Sequence, residues 1–199
     1  MMYLNERIDD LQRGGLRVIQ RADAFRFGTD AVLLADFAAP RRHDRVCDLG
    51  TGTGIIPLLL YARENTISAD AVEIQPDMAD MAARSMAMNG LNEKIRVLSG
   101  DLRSIRTLLP HARYDLVTCN PPYGKAGGTL LNPDASKRLA RHEESCAIED
   151  VACAAAWLLQ NGGRLCCVFP AARMIELSDA MRKYRMAPKR IRLVHSLVE

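Results

Sequence analysis

Val46-Cys47-Asp48-Leu49-Gly50-Thr51-Gly52-Thr53-Gly54, continued by the apolar run Ile55 to Tyr61, decides how this chain is read. The residues before the first glycine spell a strand, and those after the last one spell a helix. A strand that enters a glycine-rich turn and leaves as a helix is one half of a βαβ unit. Glycines in the turn permit positive φ and let a ligand come close to the backbone. The spacing is G-x-G-x-G, whereas the usual dinucleotide fingerprint is G-x-G-x-x-G; a nicotinamide-binding domain is the competing reading. No Lys-Ser/Thr pair follows the last glycine, which excludes a P-loop. Asp48 would repel a phosphate and favour an ammonium.

Outward from this motif, strands and helices alternate. Strands are expected at residues 45–49, 68–74, 95–99, 114–119, 164–169 and 189–195. Between them lie expected helices at 55–64, 76–88 and 149–160, the last closed by Asn161-Gly162-Gly163, and a further helix at 171–184. Another helix, opened by Thr29 or Asp30 as N-cap, runs to about Ala39. The methionine stripe of 76–88 (Met78, Met81, Met86) reads as core packing. Such alternation implies an α/β fold, a mostly parallel doubly wound sheet with helices on both faces. Glu73 ends the strand after the glycine motif, where an acidic side chain takes a ribose diol. Asp101, after the next strand, has two readings: a hydrogen bond to a cofactor amine, or an N-cap for the short helix that follows.

The second informative stretch is Asn120-Pro121-Pro122-Tyr123 at the carboxyl end of the strand Tyr114-Asp115-Leu116-Val117-Thr118-Cys119. In open α/β sheets ligands bind at that edge. Two prolines donate no backbone hydrogen bond and hold the chain extended. They leave the Asn120 amide oxygen and the Pro121 carbonyl as two acceptors suited to an NH2 group. Tyr123 adds a face on which a planar base stacks. A ribose site with a cationic arm in place of pyrophosphate describes S-adenosylmethionine.

Together, Asp48-Leu49-Gly50-Thr51-Gly52-Thr53-Gly54 and Asn120-Pro121-Pro122-Tyr123 resemble the motifs of class I S-adenosylmethionine-dependent methyltransferases of the amino-methylating branch. The stretches Gly15 to Gln20 and Phe25-Arg26-Phe27-Gly28-Thr29-Asp30 through Ala35 resemble, more narrowly, the bacterial tRNA1(Val) adenine-N6-methyltransferase family. The similarity runs from about Asp9 to His195. It implies a Rossmann-like core that binds S-adenosylmethionine through Asp48, Gly50, Thr51, Gly52, Gly54, Glu73, Ile74, Asp101, Leu102 and Asn120. Catalysis would rest on Asn120, Pro121, Pro122 and Tyr123, without a metal. The substrate would be tRNA, methylated at adenine 37 and contacted by Arg26, Phe27, Lys125, Arg138 and Arg141. Two alternatives stay open: a protein-glutamine N5-methyltransferase of the release-factor type, whose carboxamide NH2 suits the same tetrapeptide, and a non-catalytic S-adenosylmethionine-binding RNA module. Family members finish the sheet with a sixth strand and an antiparallel seventh between the fifth and sixth. Here 189–194 reads as the sixth, and Leu197-Val198-Glu199 is too short to return. A core truncated before the seventh strand, with six strands, is therefore expected.

Composition fits a single enzyme domain over 1–199, with an N-terminal extension at 1–27 and a core at 28–199. Hydrophobic residues make up 48% and charged ones 26%, a globular balance. The longest apolar stretch, Val151 to Leu159, is about half a membrane span, so no membrane partner is expected. The six cysteines include no C-x-x-C pair; a metal or disulfide framework is not expected, and a reducing cytoplasm is. The net charge is +3, with six Lys/Arg and no acid between Arg182 and His195. Arg17, Arg21 and Arg26 add to it, as do Lys125, Lys137, Arg138 and Arg141 in the long 124–142 loop. Basic groups near one sheet edge neutralise RNA phosphates. Oligomeric state is not legible.

Overall fold

Strands buried on both faces need near-continuous apolar runs, and helices must cover each face. The computed structural model, which describes residues 3, 5–21, 28–121 and 148–195, has this arrangement. An antiparallel ribbon, β1 (Glu6–Asp10) and β2 (Arg17–Arg21), precedes α1 (Thr29–Ala38). Then come β3 (Arg45–Leu49), α2 (Ile55–Arg63), β4 (Ser68–Glu73), α3 (Pro76–Met88) and β5 (Ile95–Ser99). A 3-10 turn (Leu102–Ser104), α4 (Ile105–Leu108) and β6 (Tyr114–Cys119) follow. The remaining elements are α5 (Ile148–Leu158), β7 (Leu159–Cys167), a second 3-10 turn (Ala171–Arg173) and α6 (Met174–Lys183). The five strands β3 to β7 form one sheet in the order β5-β4-β3-β6-β7, every pair parallel.

Side-chain alternation splits the interior in two. Val46 and its register partner Leu116 join the core under α1, α2 and α3, whereas Cys47 and its partner Val117 join the core under α4, α5 and α6. Each such aliphatic side chain, fully buried, contributes about 1.5–3 kcal/mol. Met81 and Met86 are buried, as the packing reading of the methionine stripe requires, and Met86 explains one glycine. A Cβ added at Gly54 would sit 2.5 Å from Met86 Cε and 3.3 Å from Ala82 Cβ. Helices α2 and α3 thus meet where an added Cβ would force the Met86 side chain to move.

Several expectations are corrected. The N-cap of α1 is Gly28, in extended conformation, rather than Thr29 or Asp30; Asp30 lies in the first turn, where a carboxylate complements the helix dipole. Asn161-Gly162-Gly163 does not close α5. It lies inside β7, where the register with β6 jumps from Tyr114↔Leu159 to Leu116↔Arg164. A Cβ at Gly163 would meet Gln160 O at 2.9 Å and Tyr114 O at 3.1 Å, so the bulge needs a glycine there.

The strand expected at 189–195 is not formed, and the six-stranded core is five-stranded among the described residues. Arg190 and Arg192 take this segment to α1 instead. The Arg190 guanidinium donates to the Phe37 carbonyl and lies 4.1 Å from the centre of its ring, while Arg192 pairs with Asp36 at 2.9 Å. Charged contacts with a helix end win over ladder bonds to β7.

The β1–β2 ribbon was not foreseen as structure. It is fixed to α3: Ile19 N donates to Ser85 Oγ (3.0 Å), and Asn89 accepts from Arg17 N (2.9 Å) and donates to Arg17 O (2.6 Å). Glu6 binds both terminal nitrogens of Arg84 at 2.8 and 2.6 Å. That pairing holds the Glu6 carboxyl below its ordinary range.

Candidate active site

Strand order reverses between β3 and β6, because β4 and β5 continue on one side of β3 and β7 on the other side of β6. Crevices at such switch points are where open α/β sheets bind ligands. Leu49 is the register partner of Cys119. The glycine turn that begins at Gly50 and the motif that begins at Asn120 therefore leave the sheet side by side.

The turn is held from below by β4. Gly50 N and Thr51 N both donate to the Val72 carbonyl, at 2.9 and 3.0 Å. Gly52 N donates to Glu73 Oε2 (2.8 Å), and Gln75 N to Glu73 Oε1 (2.9 Å). Gly54 N closes the turn on Thr51 O at 3.0 Å. Four turn N–H groups are thus consumed within the protein. A phosphate nest needs such groups free and pointing at the anion. With Asp48 and Glu73 beneath it, the turn disfavours pyrophosphate, which weighs against the nicotinamide reading.

Gly50 and Gly52 have φ of +70° and +57°. A Cβ at Gly50 would meet nothing within 4 Å, and one at Gly52 only Met78 Cε at 3.9 Å. The ligand side of the turn is an open cradle. Beneath it Asp48 is fully buried. Its Oδ1 accepts from Thr118 Oγ1 at 2.6 Å, while Oδ2 and the neighbouring Thr51 Oγ1 are buried without a hydrogen-bond partner among the described residues. Burial pushes the Asp48 carboxyl up to about 7, and the Glu73 charge adds to this; the Thr118 and Thr51 hydroxyls oppose it. Thr51 acts there by proximity, since no hydrogen bond joins it to Asp48. An open cradle over an orphaned buried carboxyl suits S-adenosylmethionine, a phosphate-free and cationic ligand.

Around this centre, Glu73 is buried and Ile74, the next residue, is exposed at the carboxyl end of β4. Each Glu73 oxygen keeps a lone pair beyond the backbone bond it already accepts. Of the two readings of Asp101, the structure displays the capping one: Oδ1 accepts from Arg103 N at 2.8 Å, capping the 3-10 turn. Its Oδ2 pairs with the Arg103 guanidinium at 2.8 and 2.5 Å, which lowers the Asp101 carboxyl. Leu102 is half-buried beside it. Asn120 is half-buried at the end of β6 and Pro121 is buried. Pro122, Tyr123, Lys125, Arg138, Arg141, Arg26 and Phe27 lie outside the described residues. Sequence reasoning passed over Thr118. Its signal was a hydroxyl inside an otherwise apolar strand, two residues before Asn120 and so on the same side of the sheet.

A cleft of about 420 Å³ lies at the opposite, amino-terminal edge of the strands, lined by Arg45, Ser68, Lys94 and Tyr114 among others. Its half-buried acid is already engaged, since Asp70 accepts from Tyr114 OH at 2.5 Å and Arg96 Nε at 2.6 Å.

Residues 22–189 match the family described as methyltransferase small domain. A Porphyromonas gingivalis protein named tRNA1(Val) (adenine(37)-N6)-methyltransferase is 35% identical over 184 residues, 89% of this chain and 71% of that one. A Tolumonas auensis protein of the same name is 35% identical over 176 residues, 84% of this chain and 72% of that one. Among solved structures, TrmN from Thermus thermophilus superposes with a TM-score of 0.57 and 26% identity, and a protein described as a predicted O-methyltransferase from Agrobacterium tumefaciens with 0.60 and 26%. Each alignment covers 76% of this chain, and the chain spans 40% and 66% of those two.

Proposed function

Because the chain belongs to the methyltransferase small domain family, we propose that it methylates N6 of an adenine in tRNA, with adenine 37 of tRNA1(Val) as the target. The observation that carries this reading is the juxtaposition, at the switch point, of an open glycine cradle over acidic groups with Asn120-Pro121. The names of the relatives supply the choice of substrate.

When bound, S-adenosylmethionine supplies a methyl group already made electrophilic by its sulfonium. Glu73 would hold the cofactor by accepting from its ribose hydroxyls with the remaining lone pairs, and Ile74 and Leu102 would add apolar contact to it. Asn120 Oδ1 and the Pro121 carbonyl accept from the two N6–H groups of the target. An adenine amine is a poor nucleophile because its lone pair is delocalised into the ring. Two acceptors return density to nitrogen and stabilise the positive charge that develops there. Alignment and exclusion of water supply much of the remainder. The proton lost by N6 passes to solvent, so no strong base is required. A stacked base hides N6; the target is swung out of its helix and received by Tyr123, a stack worth about 1–3 kcal/mol.

Transfer of labelled methyl groups is the test. Label should enter a tRNA1(Val) transcript, and an otherwise identical transcript with guanine at position 37 should stay unlabelled. Asn120→Ala should lower the rate about 10²–10³-fold, by analogy with loss of one group that stabilises developing charge, while cofactor affinity changes much less. Label in the glutamine of a release factor, with none in tRNA, would replace this reading by the protein-amide one.

A further inference from the structure

Asp48 lies at the centre of the sheet, and among the described residues no cation acts on it. Its neighbours are Cys47 on its own strand, Glu73 from β4, Thr118 and Cys119 of β6, and Thr51 of the glycine turn. Asp70 acts on Cys47 from one register further down. Glu73 is the charged group acting on Asp48, and it has the same sign. The Glu73 oxygens each accept from a backbone N–H, so that carboxyl is hydrogen-bonded at both oxygens. Asp48 is not: Oδ1 has one hydroxyl donor, and Oδ2 and the neighbouring Thr51 Oγ1 are both buried without a hydrogen-bond partner among the described residues. A carboxyl in this setting is poised between a protonated and an ionised state, and the nearest ligand charge decides which it adopts.

The ligand's charge changes during the reaction. Its sulfonium is lost when the methyl group leaves and the bonding electron pair returns to sulfur. Resting on the methyltransferase reading above, we propose that Asp48 exchanges a proton with solvent each time the site gains or loses the sulfonium charge. Asp48 is deprotonated when S-adenosylmethionine binds and reprotonated once S-adenosylhomocysteine occupies the cradle. The balance closes. One S–C bond breaks, one N–C bond forms, N6 releases a proton to solvent, and Asp48 takes one from solvent. The site therefore keeps the same charge before and after transfer. Asp48 thereby binds substrate cofactor more tightly than product cofactor above neutrality and loses that preference in acid. Thr118 is its positioning residue, favouring the ionised form through the 2.6 Å hydrogen bond.

Titration calorimetry of both ligands, in buffers of different ionisation enthalpy, reads this directly. At pH 7 a carboxyl that titrates near 7 should release up to about half a proton per S-adenosylmethionine bound, and measurably less for S-adenosylhomocysteine. Between pH 6 and pH 8 the preference for S-adenosylmethionine should rise by up to about tenfold. Asp48→Asn should abolish both the difference in proton release and the pH dependence of the preference. Thr118→Val should move the midpoint of that dependence to higher pH. Equal proton release for the two ligands, or release unaltered by both substitutions, would overturn the proposal. Failure of the wild-type protein to bind either ligand would instead overturn the cofactor reading on which it rests.

Discussion

Burial leaves Asp48 of the ligand-free protein mostly ionised at pH 8, with no counter-ion among the described residues, and mostly neutral at pH 5. Its folded value is raised from an ordinary 3.8 to about 7, so the folded state binds more protons than the unfolded one between those limits. The stability this group contributes is therefore present in acid, declines as pH rises through that window, and levels off above it. A rise of this size corresponds to about 4 kcal/mol. Asp48→Asn removes the titration but buries an amide NH2, and with Thr51 Oγ1 taking at most one of its two donors the other costs about 1–3 kcal/mol. Without cofactor, the variant should exceed the wild type at pH 8 by about 1–3 kcal/mol and fall below it near pH 4. Urea denaturation across that range measures the crossing; parallel curves for the two proteins would contradict it.

Among the elements, the α3–ribbon junction turns on one hydroxyl. Ser85 is fully buried, accepts from Ile19 N at 3.0 Å and donates to Met81 O at 2.9 Å. Ser85→Ala leaves the Ile19 N–H unsatisfied, at about 1–3 kcal/mol, and should lower the melting temperature by about 2–12 °C. An unchanged melting temperature would show that the ribbon contributes nothing to the cooperative unit. How far such elements can be read from the sequence varies with what decides them. Strands β3 and β6 were legible because burial on both faces demands apolar runs, which Val46-Cys47 and Leu116-Val117 supply. The ribbon was not, because Glu-Arg-Ile-Asp-Asp and Arg-Val-Ile-Gln-Arg take their stability from a helix more than sixty residues away. Gly162-Gly163 misled because the same dipeptide ends a helix or makes a bulge. In 189–195 the alternation of arginines with Ile191 and Leu193 looks like a strand, yet Asp36 and Phe37 decide where it lies. Within the site, Glu73 was legible as the acid ending a strand. Asp101 was not, since cap and ligand contact require the same residue at the same place.

For the molecule as a whole, the charge of +3 understates its basic character. Arg190 and Arg192 are engaged at α1 and Lys183 at Glu149, while Arg182, Arg185 and Lys189 in the same stretch extend the positive surface. If tRNA is the partner, cations such as these displace counterions from its backbone. Affinity measured by filter binding should then fall at least about tenfold between 50 and 200 mM salt; a salt-insensitive interaction would point to a protein substrate. The ribbon has one more consequence, in time rather than in space. Ile19 leaves the ribosome 66 residues ahead of the serine that anchors it. At about 5–20 residues per second that is an interval of roughly 3–13 s, during which a lone two-stranded ribbon is barely stable. The ribbon is thus made well before the helix that secures it, and a chaperone has those seconds in which to hold it.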